Sequence, residues 1–147
     1  QEKFKKWLES CDISVDDLLM VYSEHLFAAL VKAHPNLVSH YKNPMDLIAS
    51  IENHIHVEVK KIYPDAQLPT FELEDRNETT MKLVYKSNKA LYMLGKGLML
   101  ETFKLFKQSV SINFEKFIFK NPSFKFLNEI IPLCNSEIDL LDVAAYI

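Results

Sequence analysis

His56, Tyr85, Ser87 and Lys89 are the residues whose types and spacing could do chemistry together. Glu52 stands one helical turn before His56, and an imidazole so placed has two readings. It is either a surface group paired with Glu52, a contact of roughly a few tenths of a kcal/mol, or an axial ligand whose neutral ring nitrogen reaches a bound metal. Tyr85 and Ser87 lie two residues apart, so on a strand both hydroxyls emerge from one face and can converge on one carboxylate. Lys89 would add a cation just beyond them. Short polar runs of this kind end many strands, and this one gains meaning only from its distance to His56.

Other candidates are weaker. His54 and Glu58 are four residues apart and could begin a metal site, but no His-Glu-x-x-His run is present and no third ligand suggests itself, so both are expected to be solvated. Cys11 and Cys134 lie near opposite ends without Cys-x-x-Cys spacing and read as free thiols. His25, His34 and His40 read as structural or surface groups. No serine or cysteine nucleophile motif and no phosphate-binding glycine loop occurs, so an enzyme is not expected.

The chain has 147 residues, of which 48% are hydrophobic, and a formal charge of −3. That length supports one core, and a single domain over residues 1–147 is expected, with the 132–147 tail unassigned. A slightly acidic chain without a basic stripe offers nucleic acid no attractive field. The longest apolar runs, Leu26 to Val31 and Leu91 to Leu100, are short, and the second is interrupted by Lys96, so no membrane span is expected. The Gln-Glu-Lys-Phe-Lys-Lys start has no apolar signal core behind it, which makes a cytoplasmic protein the default. The first residue is glutamine, which points to a trimmed sequence.

Around His56, Asn43 is a good N-cap, Pro44 suits the first helical position, and Pro64 disfavours helix at Tyr63. Ile48, Ile51, Ile55, Val59 and Ile62 recur at steps of three and four, which predicts one helix with an apolar stripe toward a core. His56 then sits about 100° from Ile55, at the seam between buried and wet faces. Upstream, Lys3 to Ser10 carries a short helical pattern, and Asp12 or Ser14 can cap a helix bearing Leu18, Leu19, Tyr22, Leu26, Ala29 and Leu30, closed by Pro35. Asn36 to Tyr41 is a turn or one short helical segment.

Beyond Pro64 the period becomes two. Phe71 and Leu73, then Met81, Leu83 and Tyr85, flank the polar run Glu74 to Thr80 as a hairpin. Ala90 to Lys107 returns to helix, and it holds the chain's two glycines, Gly95 and Gly97. Each disfavours helix by up to about 1 kcal/mol, so either something approaches that backbone closely or the pair is tolerated beside a bend. Val110, Ile112 and Phe114 alternate again, as do Phe117 and Phe119 after a phase slip, and Phe124 to Ile131 could form a last strand. The fold class is α+β: amino-terminal helices, then an antiparallel sheet with one long helix inserted between its strands.

Three features in order, the helix bearing His56 before Tyr63-Pro64, the strand entry Leu68-Pro69-Thr70-Phe71, and the run Tyr85-Lys86-Ser87-Asn88-Lys89, resemble the H-NOX family of haem nitric oxide/oxygen binding domains. The similarity extends from about Ser14 to Phe119. The resemblance implies haem b (iron protoporphyrin IX) with His56 as its proximal ligand. It implies further that Tyr85 and Ser87 hold the propionates and that Pro69 presses on the macrocycle. Lys89 stands where the family motif has arginine, replacing a planar fork by a point charge. In that family further helices at the start of the domain cover the distal face; here the pattern opens only at the helix preceding Ser14, so those helices are expected to be missing or trimmed, or their wall supplied by another chain.

Oxygen-binding members of that family carry a distal tyrosine five positions beyond the motif arginine, and Leu94 occupies that position here. Tyr92 is about 200° around the helix from it and cannot substitute. Without a donor the polar bound dioxygen is poorly stabilised, so the resemblance implies preference for nitric oxide. It implies a gas sensor in which nitric oxide releases His56 and the His56 helix shifts. Its partner would be a histidine kinase, a cyclic-dinucleotide enzyme or a cyclase. The alternative is a haem-free relative that keeps the fold as an interaction or regulatory module.

Overall fold

Ser14 opens the first helix. In the computed structural model of the chain, which describes residues 10–87 and 91–114, the Ser14 hydroxyl accepts the Asp17 N–H at 3.0 Å, and helix α1 runs Val15–Ala33. Asp16 and Asp17 in its first turn and Lys32 in its last complement the helix dipole. His34 closes the helix by donating its N–H to Leu30 at 2.8 Å, just before Pro35. One further turn, α2 (Asn36–Ser39), buries Leu37. The expected Lys3 to Ser10 segment lies almost wholly outside the described residues.

Asn43 caps the next helix through its Oδ1, which accepts the Asp46 N–H at 3.0 Å, and Pro44 occupies the first turn. The sequence predicts a single regular helix from here to Ile62, and the structure corrects that. Helix α3 (Pro44–Ala49) is followed by a π turn, Ile51–Ile55, and only then by helix α4, His56–Ile62. The Ile55 N–H reaches back to Ser50 and the His56 N–H to Ile51, five residues each, where a regular helix spans four. An inserted residue rotates the downstream helix by about 100° relative to the upstream one. The predicted stripe is therefore broken. Ile48 and Val59 are buried, Ile51 and Ile55 are half-buried, and Ile62 is 38% exposed. Tyr63 leaves the helix at φ −125°, ψ 80°, as the proline after it requires.

Strands β1 (Thr70–Arg76) and β2 (Met81–Lys86) form the expected antiparallel hairpin, with Phe71 opposite Tyr85 and Leu73 opposite Leu83. The register slips between Leu73 and Asp75, a bulge at Glu74. Asn77 builds the turn, its side-chain oxygen accepting the N–H groups of Thr79 and Thr80 at 2.9 and 2.8 Å.

Helix α5 (Tyr92–Leu105) packs along α1. Leu19 and Leu26 from α1 and Leu91 and Leu94 from the start of α5 form the core, with Tyr22, Leu30, Met93 and Leu98 against them. The two glycines differ. A Cβ at Gly97 would overlap Ser23 Oγ and stand 2.5 Å from Ser23 Cβ, so glycine is what lets α1 approach α5 there. At Gly95 a Cβ would make ordinary contact with Phe71 Cζ at 3.5 Å.

Among the described residues the sheet has two strands. Val110, Ile112 and Phe114, expected as strand residues, do not join it. Phe114 instead packs edge-on against Tyr92 of α5, ring centroids 5.3 Å apart, with Lys96 Nζ 5.7 Å from its ring centre. The strands expected at Phe117, Phe119 and Phe124 to Ile131 lie outside the described residues, as does the 132–147 tail. The architecture is α+β, with helices first and the antiparallel hairpin between them and the long helix α5.

Candidate functional site

The π turn and the hairpin meet at His56. Its side chain is 17% exposed, drawn further into the protein than a seam position on a regular surface helix suggests. Nδ1 lies 3.0 Å from Glu52 Oε1. The same carboxylate oxygen accepts the backbone N–H of Phe71, nineteen residues further on, at 2.8 Å. Glu52 therefore joins the π turn before the histidine helix to the start of β1.

Burial holds the His56 imidazole below its usual 6.5, outweighing the Glu52 carboxylate, whose charge and hydrogen bond act in the opposite direction. The ring is thus neutral at pH 7 and carries one proton. Nδ1–H donating to the carboxylate fixes the tautomer and leaves the lone pair on Nε2. A carboxylate behind an imidazole is the arrangement that orients a metal-binding histidine and raises its basicity.

Phe71 extends the site across the hairpin. Its ring is 6.0 Å from that of His56 and 5.4 Å from that of Tyr85, its cross-strand partner. The Tyr85 hydroxyl is hydrogen-bonded to the Ser87 side chain and to the Leu91 backbone, and burial raises its pKa above the ordinary phenol value against both bonds. The two hydroxyls converge as period-two alternation predicts, although Ser87 is exposed and stands just past the end of β2. Their link to Leu91 ties that strand end to the entry of α5.

The remaining expected residues fall in different places. Pro69 is half-buried, directly before β1 and two residues from Phe71. Leu94 is 2% exposed, in the α1–α5 core. Lys89 lies outside the described residues. Glu52 appeared in the sequence only as a surface partner of His56. Its second bond, to Phe71, carries no local signal, because it spans a loop and a change of secondary structure.

Three of the other histidines, His34, His40 and His54, lie near one another. Nδ1 of His54 is 2.6 Å from the Tyr41 hydroxyl, and the His40 ring is 5.8 Å away, so His54 is half-buried and not solvated as expected. Glu58 pairs with Lys61 at 2.6 Å. His34, His40, His54 and Glu58 line a cavity of about 410 Å³. No cluster of three or more histidine, cysteine or acidic side chains arranged to hold a metal ion occurs among the described residues. Among the described residues the donor that His56 offers is one imidazole nitrogen. One protein ligand suits an iron whose equatorial positions are filled by a macrocycle, and the residues present fit a haem in that sense.

Residues 3–114 match the family model described as Haem-NO-binding (HNOB). The unliganded ferrous H-NOX protein of K. algicida is 46% identical, with a TM-score of 0.73 over 77% of this chain and 61% of that one. A single-residue mutant of the K. algicida protein gives 41% identity and a TM-score of 0.74, over 84% and 72% of the two chains. An H-NOX protein from S. oneidensis, in its Fe(II)NO ligation state, shares the fold at 22% identity and a TM-score of 0.70, over 77% of this chain and 63% of that one. No curated protein matches the sequence.

The chain belongs to the H-NOX (haem-NO-binding) family of haem-based gas sensor domains. It spans 61% of the length of the first K. algicida structure. No helix among the described residues is long and apolar enough to cross a membrane.

Proposed function

We propose that the chain is a nitric oxide sensor module in which His56 is the proximal ligand of a haem b. The observation that carries this reading is the His56–Glu52 pair, a neutral imidazole whose Nδ1–H is committed to a carboxylate and whose Nε2 lone pair is available. When bound, the haem supplies a ferrous iron to which a diatomic gas can attach. The protein's part is to hold and orient it. His56 Nε2 would be the ligand, the Tyr85 and Ser87 hydroxyls would hydrogen-bond a propionate, Lys89 would add positive charge, and Pro69 would press on the ring.

Leu94 contributes selectivity by what it lacks. An aliphatic side chain there donates no hydrogen bond, which disfavours dioxygen relative to the less polar nitric oxide. Engagement or release of His56 changes how α4 sits on the hairpin, and a signalling partner reads that change. The partner class is a histidine kinase, a cyclic-dinucleotide enzyme or a cyclase, and the setting is the cytoplasm.

Haem titration of the protein tests the reading. The ferrous wild type is expected to show a Soret band that moves on addition of nitric oxide, and Tyr85→Phe with Ser87→Ala is expected to weaken uptake about tenfold. A protein that binds no haem would support the alternative, a haem-free interaction module.

A further inference from the structure

We infer that Glu52 is a positioning residue that transmits the state of His56 to strand β1, because one carboxylate oxygen is shared between the two. This rests on the reading of His56 as a haem ligand. Oε1 accepts from His56 Nδ1 at 3.0 Å and from Phe71 N at 2.8 Å. Both donors draw on the electron density of the same atom, so strengthening one bond weakens the other. An imidazole ligated through Nε2 gives density to the metal, and its Nδ1–H becomes a stronger donor. Ligation therefore draws Glu52 toward His56 and loosens Phe71. Release of His56 does the reverse.

Two features turn this exchange into a displacement of the strand. Glu52 sits in the π turn Ile51–Ile55, an irregular element between two regular helices and a type of insertion often found at functional sites. The far end of β1 is tethered separately, by the ion pair of Arg76 with Asp46 in α3. The strand is thus held to one helical run at two points, Arg76 ahead of the π turn and Phe71 within it. A change at the π turn moves only the Phe71 end. Phe71 also carries the ring that stands between His56 and Tyr85, so its motion reaches the Tyr85–Ser87 pair.

The test compares Glu52→Gln and Glu52→Ala with wild type. Glutamine keeps the shape and an acceptor for the Phe71 N–H but lacks the charge. Alanine removes both. In the haem-free protein, hydrogen exchange at the Phe71 amide is expected to accelerate about tenfold in Glu52→Ala and much less in Glu52→Gln. In the ferrous haem-loaded protein, the iron–histidine stretching band is expected to fall in frequency in both variants, because the carboxylate no longer supports the imidazole. Adding nitric oxide to the loaded wild type is expected to slow exchange at Phe71, an effect absent in Glu52→Ala. Unchanged Phe71 exchange in Glu52→Ala would overturn the inference, as would an unchanged stretching band in Glu52→Gln. So would a nitric oxide effect at Phe71 that survives in Glu52→Ala. Failure to take up haem would instead refute the ligand reading, and exchange in the haem-free protein separates the two failures.

Discussion

The Phe71 ring faces Tyr85 across the hairpin, centroids 5.4 Å apart and planes at 69°, and so connects the histidine side of the site to the hydroxyl side. Each ring positions the next, from His56 on α4 to Phe71 on β1 to Tyr85 on β2.

Phe71→Ala is expected to loosen both sides together. The side chain is half-buried, so the loss should fall at or below the lower limit of the range for full aromatic truncation, about 2–3 kcal/mol. Chemical denaturation measures it. The same variant is expected to bind haem more weakly than a stability loss alone predicts, since Tyr85 loses its cross-strand support.

Gly97→Ala and Gly95→Ala should differ in sign. At Gly97 the new methyl group meets Ser23, and overpacking of the α1–α5 contact is expected to destabilise by about 1–3 kcal/mol. At Gly95 there is room, and helix propensity favours alanine by about 0.5–1 kcal/mol. Thermal melts of the two variants decide the matter.

Tyr22 packs against the α1–α5 core with a buried hydroxyl that has no hydrogen-bond partner among the described residues. Tyr22→Phe removes an unsatisfied group and is expected to stabilise by about 1 kcal/mol. Burial also pushes the phenol pKa above its ordinary value of 10.0. A raised folded-state pKa leaves stability independent of this ionisation below pH 10 and lowers it as pH rises above 10, where the unfolded chain ionises first. Tyr22→Phe should therefore lose less stability than wild type between neutral and strongly alkaline pH, as urea midpoints across that range would show.

Leu94→Tyr is expected to change ligand preference on the proposed function. A hydroxyl at that position supplies the donor that dioxygen requires, so the ferrous haem-loaded variant should form an oxygen complex in air where wild type does not. Because Leu94 is 2% exposed, the larger ring should also destabilise the core by about 1–3 kcal/mol. Spectra under air and under nitrogen distinguish the outcomes.

Much of the fold, and the local geometry of the candidate site, was legible because local chemistry dictates it. Ser14 and Asn43 are caps whose side chains can satisfy only nearby N–H groups, and Asn77 folds the hairpin turn by the same means. Tyr85 and Ser87 converge because a strand repeats every two residues. The π turn was not legible. The isoleucine spacing fits a regular helix equally well, and the Glu52 bond to β1 that accompanies the insertion joins residues far apart in sequence. The same limit applies to the glycines, since only the position of Ser23 on another helix separates Gly97 from Gly95. Val110 to Phe114 alternates as a strand would, yet Phe114 finds an aromatic partner in Tyr92.

The most direct measurement is the absorption spectrum of the reduced, haem-loaded protein, wild type against His56→Ala. If His56 is the ligand, wild type shows a Soret band that His56→Ala shifts or abolishes and that external imidazole restores. Superimposable spectra for the two proteins would contradict that assignment, since the iron would then be held by another group.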